Sequence, residues 1–225
     1  MKCAQGTLQQ QLTRMDAKGR NLWVTTWDWN AVYSTDEFPD GASVVAGLAI
    51  PSADPTAALS LWLAKYDTLG HQVWTRIISY GRRRWTTWVE ATDQGAFLTV
   101  FGSDDLKAPR DAGIIEATAD GAATWSLWVK EARSERLESV TVSPRIVAAA
   151  GSIWVAPGVC SDLSTQYRAW MVRAKTAGEV KWSRLSNRGY ESRFESIEGT
   201  SDGGYILAGF TRAATGSRAS AWAVR

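Results

Sequence analysis

GRNLW (Gly19–Trp23), GHQVW (Gly70–Trp74), GAATW (Gly121–Trp125) and GEVKW (Gly178–Trp182) share a glycine followed four residues later by a tryptophan, at intervals of 51, 51 and 57 residues. Such even spacing over most of a chain is the mark of a repeat, and the period has to be read before any element is assigned. Working outward, the residue five places before each glycine is Arg14, Lys65, Glu116 or Arg173, and it closes a short apolar run: QQLTR, WLAK, GIIE and WMVR. A fifth such run, WAVR, occupies Trp222 to Arg225. Downstream, WVEATDQGAFLTVFG (88–102) lines up with SIEGTSDGGYILAGF (196–210), and PDGASVVAG (39–47) supplies the same turn and strand in the first copy. The third copy departs: RLESV (136–140) matches RFESI (193–197), but SPRIVAAAGSIWVAPG then carries about five extra residues, most of the excess in the 57-residue interval.

Each unit holds four runs of four to eight residues rich in Val, Ile, Trp, Tyr, Phe and Thr, separated by DG, SDGG, GR or proline-containing turns. That pattern predicts four antiparallel strands per unit and little helix. One small sheet cannot bury both faces, whereas repeated sheets stacked about an axis can. The expected fold class is therefore all-β, a β-propeller or propeller fragment of four-stranded antiparallel blades with four repeats of about 50 residues. Residues 1–225 form a single repeat domain with units at 9–60, 61–112, 113–169 and 170–221 and a partial fifth repeat at 222–225. In the usual blade order the DGG-flanked strands are the inner pair. The chain then opens on two outer strands and closes on two inner strands plus one more, Trp222–Arg225. Strands from the two ends can complete one shared blade, leaving that last strand surplus. A small closed ring, an incomplete ring that forms a homodimer through a terminal strand, and a piece of a longer propeller all remain open.

The succession D-x-x-G-x-x-x-W, then T-x-D-G-G-Y-I-x-A-G, clearest in LAKYDTLGHQVWTR and IEGTSDGGYILAGFT, resembles bacterial β-propeller repeat proteins related to PQQ-type (quinoprotein) and WD-like blades. The resemblance runs from about Gln9 to Arg225. It implies the propeller fold, and it implies little about activity, because propellers host many chemistries.

Composition excludes several classes. Apolar residues at 45% and charged residues at 21% are globular values, and 25 basic against 23 acidic residues give a net charge of +2. No sustained basic stripe follows, so nucleic acid is not an expected partner. No apolar run approaches the roughly 18–20 residues that span a bilayer. The opening MKCAQGTLQQQ lacks the apolar core of a signal peptide; the sequence as written reads as cytoplasmic, or as extracytoplasmic if a leader has been removed. Two cysteines, Cys3 and Cys160, make neither a disulfide framework nor a metal cluster.

The chemistry-bearing residues are sparse. The single histidine, His71, lies in an outer turn, so neither an ordinary metal site nor a nucleophilic triad is expected. Asp28, Asp36, Glu37, Asp40, Asp104 and Asp105 are the candidates for a carboxylate pair, though acids at turns ordinarily shape the turn. No catalytic residue, metal or cofactor is assigned. The 13 tryptophans divide in two. Trp23, Trp74, Trp125 and Trp182 recur at one repeat position and Trp62, Trp170 and Trp222 at another, as structural residues packing between blades. Trp27, Trp29, Trp85, Trp88, Trp128 and Trp154 fall outside the period. In TTWDWN and GRRRWTTWVE the rings alternate with polar groups, and Trp27, Trp29, Arg83, Arg84, Trp85 and Trp88 are the expected ligand-binding residues. The expected function is a non-enzymatic binding or scaffold module that engages a protein or a carbohydrate through loops on one face. A lectin-like propeller is the alternative, and a quinoprotein-type redox enzyme ranks third.

Overall fold

The computed structural model describes residues 10–27, 30–49, 60–78, 84–102, 111–129, 135–143, 145–155, 166–186, 190–214 and 216–225. Seventeen strands account for their regular structure, and none of the described residues is helical. Five antiparallel sheets follow one another along the chain. The first has two strands, β1 (Gln10–Met15) and β2 (Asn21–Trp27). Three four-stranded sheets follow: β3 (Asn30–Glu37) to β6 (Gln72–Ile78), β7 (Arg84–Thr92) to β10 (Ala123–Val129), and β11 (Glu135–Ser143) to β14 (Val180–Leu185). Within them β4 is Ser43–Ala49, β5 Ser60–Tyr66, β8 Gly95–Gly102, β9 Asp111–Thr118, β12 Ile146–Val155 and β13 Gln166–Lys175. The last sheet has three strands, β15 (Glu191–Gly199), β16 (Tyr205–Arg212) and β17 (Ser220–Val224).

The sequence units are offset from these sheets by two strands, because the Gly-Trp motif closes one sheet and the next motif belongs to another. The terminal strands do not merge into the shared sheet that their phase suggested: β1 pairs with β2 and β17 pairs with β16, each in a sheet of its own. The extra residues of the third copy extend β12 and β13, which pair over ten positions from Ile146↔Lys175 to Val155↔Gln166.

Each Gly-Trp motif builds the outermost hairpin of a sheet. The glycine sits at φ of 76–84° at all four positions, where a β-carbon would clash with its own backbone. Its N–H closes a tight turn, as in Gly70 to the carbonyl of Asp67 at 3.1 Å. The tryptophan then stands opposite the charged residue that ends the preceding run, in the pairs Arg14↔Trp23, Lys65↔Trp74, Glu116↔Trp125 and Arg173↔Trp182. A second irregularity repeats at the opposite edge. The first strand of each of the last four sheets carries one extra residue, Tyr33, Thr87, Glu138 or Glu195, which the register skips as a β-bulge. Bulges raise local twist and swing the extra side chain out of the ladder.

The sheets pack face to face in chain order. Leu12, Trp23 and Trp27 of the first lie on Val45, Trp62, Ala64 and Tyr66 of the second. Val44, Ala46 and Leu48 meet Ala96, Leu98 and Val100, Phe97 and Ile114 meet Val147, Ala149 and Trp170, and Ala148 and Ala150 meet Phe194, Leu207 and Trp222. Each fully buried aliphatic or aromatic side chain contributes about 1.5–3 kcal/mol, so the four cores together hold the sheets in a row. Hydrogen bonds between first strands supplement them. Asp36 accepts from the backbone N–H of Ala91 at 2.8 Å, Glu90 from Val142 at 2.8 Å, and Thr141 from Gly199 at 3.3 Å. In each case a side chain satisfies a donor of the following sheet.

Candidate functional site

The periodic tryptophans occupy the seams between sheets. Trp23 donates its indole N–H to the carbonyl of Thr68 at 3.1 Å and Trp74 donates to that of Ala119 at 3.0 Å, in each case in the outer turn of the next sheet. The turn glycine lies against the ring: a β-carbon at Gly70 would stand 2.6 Å from Trp23, at Gly121 2.8 Å from Trp74, and at Gly178 3.5 Å from Trp125. Trp62 and Trp170 are buried on the third strands of their sheets and donate to Thr75 and Ser183 on the neighbouring fourth strand, at 2.8 and 2.7 Å. Trp222 takes the same place in the last sheet and stacks on Phe194 with 4.8 Å between centroids. The third sheet has Gly113 at this place, and Trp128 fills the gap. A β-carbon at Gly113 would lie 2.7 Å from the Leu127 carbonyl oxygen and 2.8 Å from the Trp128 ring, and the Trp128 N–H reaches Ser126 at 3.1 Å. One of the aperiodic tryptophans thus replaces an indole that the period lacks, from the adjacent strand.

Of the expected ligand-binding residues, Trp29 and Arg83 lie outside the described residues, as do the side chains of Arg84 and Trp85. Trp27 and Trp88 are placed on different sheets. Trp27 is on the outer strand of the first sheet, whereas Trp88 is on the inner strand of the third and is 39% exposed. Trp27 meets Trp62 and Tyr66 edge-on, at centroid distances of 5.3 and 5.6 Å, and donates its N–H to the Tyr66 hydroxyl at 2.7 Å.

Beside this aromatic cluster opens a groove of about 530 Å³ between the first two sheets, lined by Trp27, Trp62, Gln72, Thr75, Arg76 and Ile77. Its volume is in the range of small-molecule sites. Apolar ring faces flanked by an amide, a hydroxyl and a guanidinium can hold a flat ligand and fix its orientation by hydrogen bonds. A smaller cleft of about 100 Å³ separates the fourth and fifth sheets and is lined by residues including Thr141, Arg173, Thr200 and Tyr205, with Arg173 donating to the Tyr205 hydroxyl at 2.9 Å.

The titratable candidates that lie among the described residues are occupied structurally. His71 faces Asp67 across its exposed turn at 3.1 Å. Asp36 binds the Ala91 N–H, Glu37 pairs with Arg14 at 3.2 Å, and Asp40 pairs with Lys65 at 3.2 Å. Asp28, Asp104 and Asp105 lie outside the described residues. No group of three or more potential metal ligands occurs among the described residues.

Two acids that sequence reasoning passed over are more perturbed. Burial pushes the Glu90 carboxyl from the ordinary 4.5 up to about 7; the Val142 N–H opposes this, and the Glu198 and Asp36 carboxylates add to it. The alignment of WVEAT with SIEGT already set Glu90 and Glu198 at one repeat position, which was the available signal. Glu138, at a bulge and 8% exposed, is held by Arg193 at 2.6 Å and Arg136 at 2.5 Å. Its carboxyl is nonetheless shifted upward, because the cost of burial outweighs the two cations.

No family model matches the chain, and no curated protein sequence matches it. Among solved structures, it is similar to two single-residue variants of the apocarotenoid oxygenase of Synechocystis, each at 12% identity and a TM-score of 0.47 over 88% of this chain and 50% of that one. A chimera of that oxygenase with RPE65 is similar at 11% identity and a TM-score of 0.43, over 80% of this chain and 46% of the other. The chain spans about half the length of these proteins.

Proposed function

We propose that the chain is a non-enzymatic binding module built from β-propeller-type blades of the PQQ-related and WD-like kind, and that it engages a glycan or a protein at the rim of its first two sheets. The groove lined by Trp27, Trp62, Gln72, Thr75, Arg76 and Ile77 carries this reading. Its indoles supply apolar ring faces, and its polar residues are of the types that bind hydroxyls and carboxylates. The described acids among the catalytic candidates, Asp36, Glu37 and Asp40, are committed to a backbone N–H or a cation, which favours binding over turnover.

Neutral and acidic oligosaccharides titrated against the protein should quench and shift its tryptophan fluorescence, and Arg76→Ala should weaken acidic ligands more than neutral ones. Saturable binding that survives Trp27→Ala and Arg76→Ala together would place the site elsewhere. If no oligosaccharide binds, the glycan form of the reading fails. Capture of a protein partner that is lost in the same double variant would then favour the scaffold form.

A further inference from the structure

Three successive seams share one contact, in which the outer tryptophan of a sheet lies on the turn glycine of the next: Trp23 on Gly70, Trp74 on Gly121 and Trp125 on Gly178. The series leaves one half of this contact at each end. Gly19 has the same turn and the same positive φ, yet none of the described residues comes within 4 Å of where its β-carbon would be. Trp182 is the corresponding half at the other end: it is partly buried against the last sheet, but among the described residues that sheet has no fourth strand whose turn would cover it.

A second position shows the same incompleteness. Thr13 on β1 corresponds in register to Ala64, Ile115 and Val172, as each stands opposite the residue after the motif tryptophan. Those three are 0% exposed, whereas Thr13 is only half-buried. The last sheet also leaves one face uncovered. Ile206, 47% exposed, and the exposed Ala208 occupy the positions that Val44 and Ala46 fill with 0% exposure in the second sheet.

We propose that two copies of the chain join head to tail, with the β1–β2 hairpin of each taking the third and fourth places in the last sheet of the other. Gly19 then lies on Trp182 of the second copy, Thr13 is buried, and each last sheet gains its outer hairpin. Each copy contributes three complete sheets and half of two composite ones, so the pair closes a ring of eight four-stranded sheets, within the usual range for propellers. This rests on the propeller reading but not on the groove. The hairpin displaces β17, five residues whose buried side chain is Trp222. Gln11 then stands where Trp222 stacks on Phe194, which makes β17 a competitor of the hairpin.

The test is light scattering and sedimentation of the full chain across a concentration series, with the glycan titration as an independent control on the groove. The expected species is a dimer of about 49 kDa, twice 24.6 kDa. Thr13→Arg places a charge on a surface of the monomer that the dimer buries, and it should weaken association at least about a hundredfold while leaving the far-ultraviolet dichroism unchanged. Trp222→Ala weakens the competing strand and should tighten association about tenfold or more. A monomer at all concentrations, open-ended oligomers, a dimer indifferent to Thr13→Arg, or a dimer weakened by Trp222→Ala would each overturn the proposal.

Discussion

Replacing Trp74 by alanine tests the seams directly. The indole is 9% exposed, donates to the Ala119 carbonyl at 3.0 Å and lies on Gly121 with no room for a β-carbon between them. The substitution removes a large apolar surface and leaves a cavity that the strand ladders on either side cannot close, a combination that costs about 3–5 kcal/mol. Of this, about 1 kcal/mol is the hydrogen bond to Ala119. Trp74→Phe keeps most of the ring packing but removes the donor, and should cost about 1–2 kcal/mol. Val73→Ala is the control: the neighbouring side chain is 56% exposed and should stay within about 0.5 kcal/mol of the parent. Urea unfolding followed by far-ultraviolet dichroism reads all three, with an unchanged m-value as the condition for comparing midpoints. An unchanged midpoint for Trp74→Ala, or a phenylalanine variant as costly as the alanine one, would refute the assignment of this indole to the seam.

Three further outcomes are expected. Glu90 holds its proton more tightly folded, at about 7, than unfolded, at 4.5. Its contribution is therefore fully present below 4.5 and is lost as pH rises through 7. The ceiling of about 3.4 kcal/mol falls to about 1–2 kcal/mol once solvent screening of this partly open side chain is allowed for. Glu90→Gln should flatten the stability profile between pH 4.5 and 8, and a profile parallel to that of the parent would show the carboxyl to be solvated. Trp128→Leu should cost about 2–4 kcal/mol in thermal unfolding by emptying the space above Gly113, whereas Trp128→Phe, which keeps a ring there, should cost clearly less; equal losses for the two variants would show that the ring does not fill that space. Arg193→Ala removes one of two cations from a buried carboxylate and should cost about 1–3 kcal/mol, whereas adding Glu138→Gln should relieve part of the loss, both read by denaturant midpoint.

The outer half of each sheet was legible in the sequence because it is local. A turn glycine and a tryptophan four residues on fix hairpin, register and strand length together, so β5–β6 and β13–β14 fall where the motifs place them. The inner half was less so. The bulges at Tyr33, Thr87, Glu138 and Glu195 involve four unrelated side chains, since the bulge is a property of backbone twist and not of residue type. The Glu138–Arg193 pair joins residues 55 apart, and nothing in either neighbourhood announces it. Trp128 looked aperiodic because its explanation is the glycine on the adjacent strand. For the candidate site, Trp27 was named from its setting in TTWDWN, but its groove partners Gln72, Thr75 and Arg76 come from the next sheet and carried no local signal. The union of terminal strands, plausible from phase alone, is not made within this chain, because strand counting does not say how far the row of sheets curves.

The side-chain contacts that join one sheet to the next run predominantly in one direction along the chain. Asp36, Glu90 and Thr141 each accept from a backbone N–H of the sheet that follows, and Trp23 and Trp74 each reach forward to a turn that follows. A chain emerging from its amino end would thus have these acceptors and indoles in place before the hairpins that meet them arrive. Assembly can then proceed by accretion, each new sheet condensing on a finished template instead of waiting for the carboxyl end.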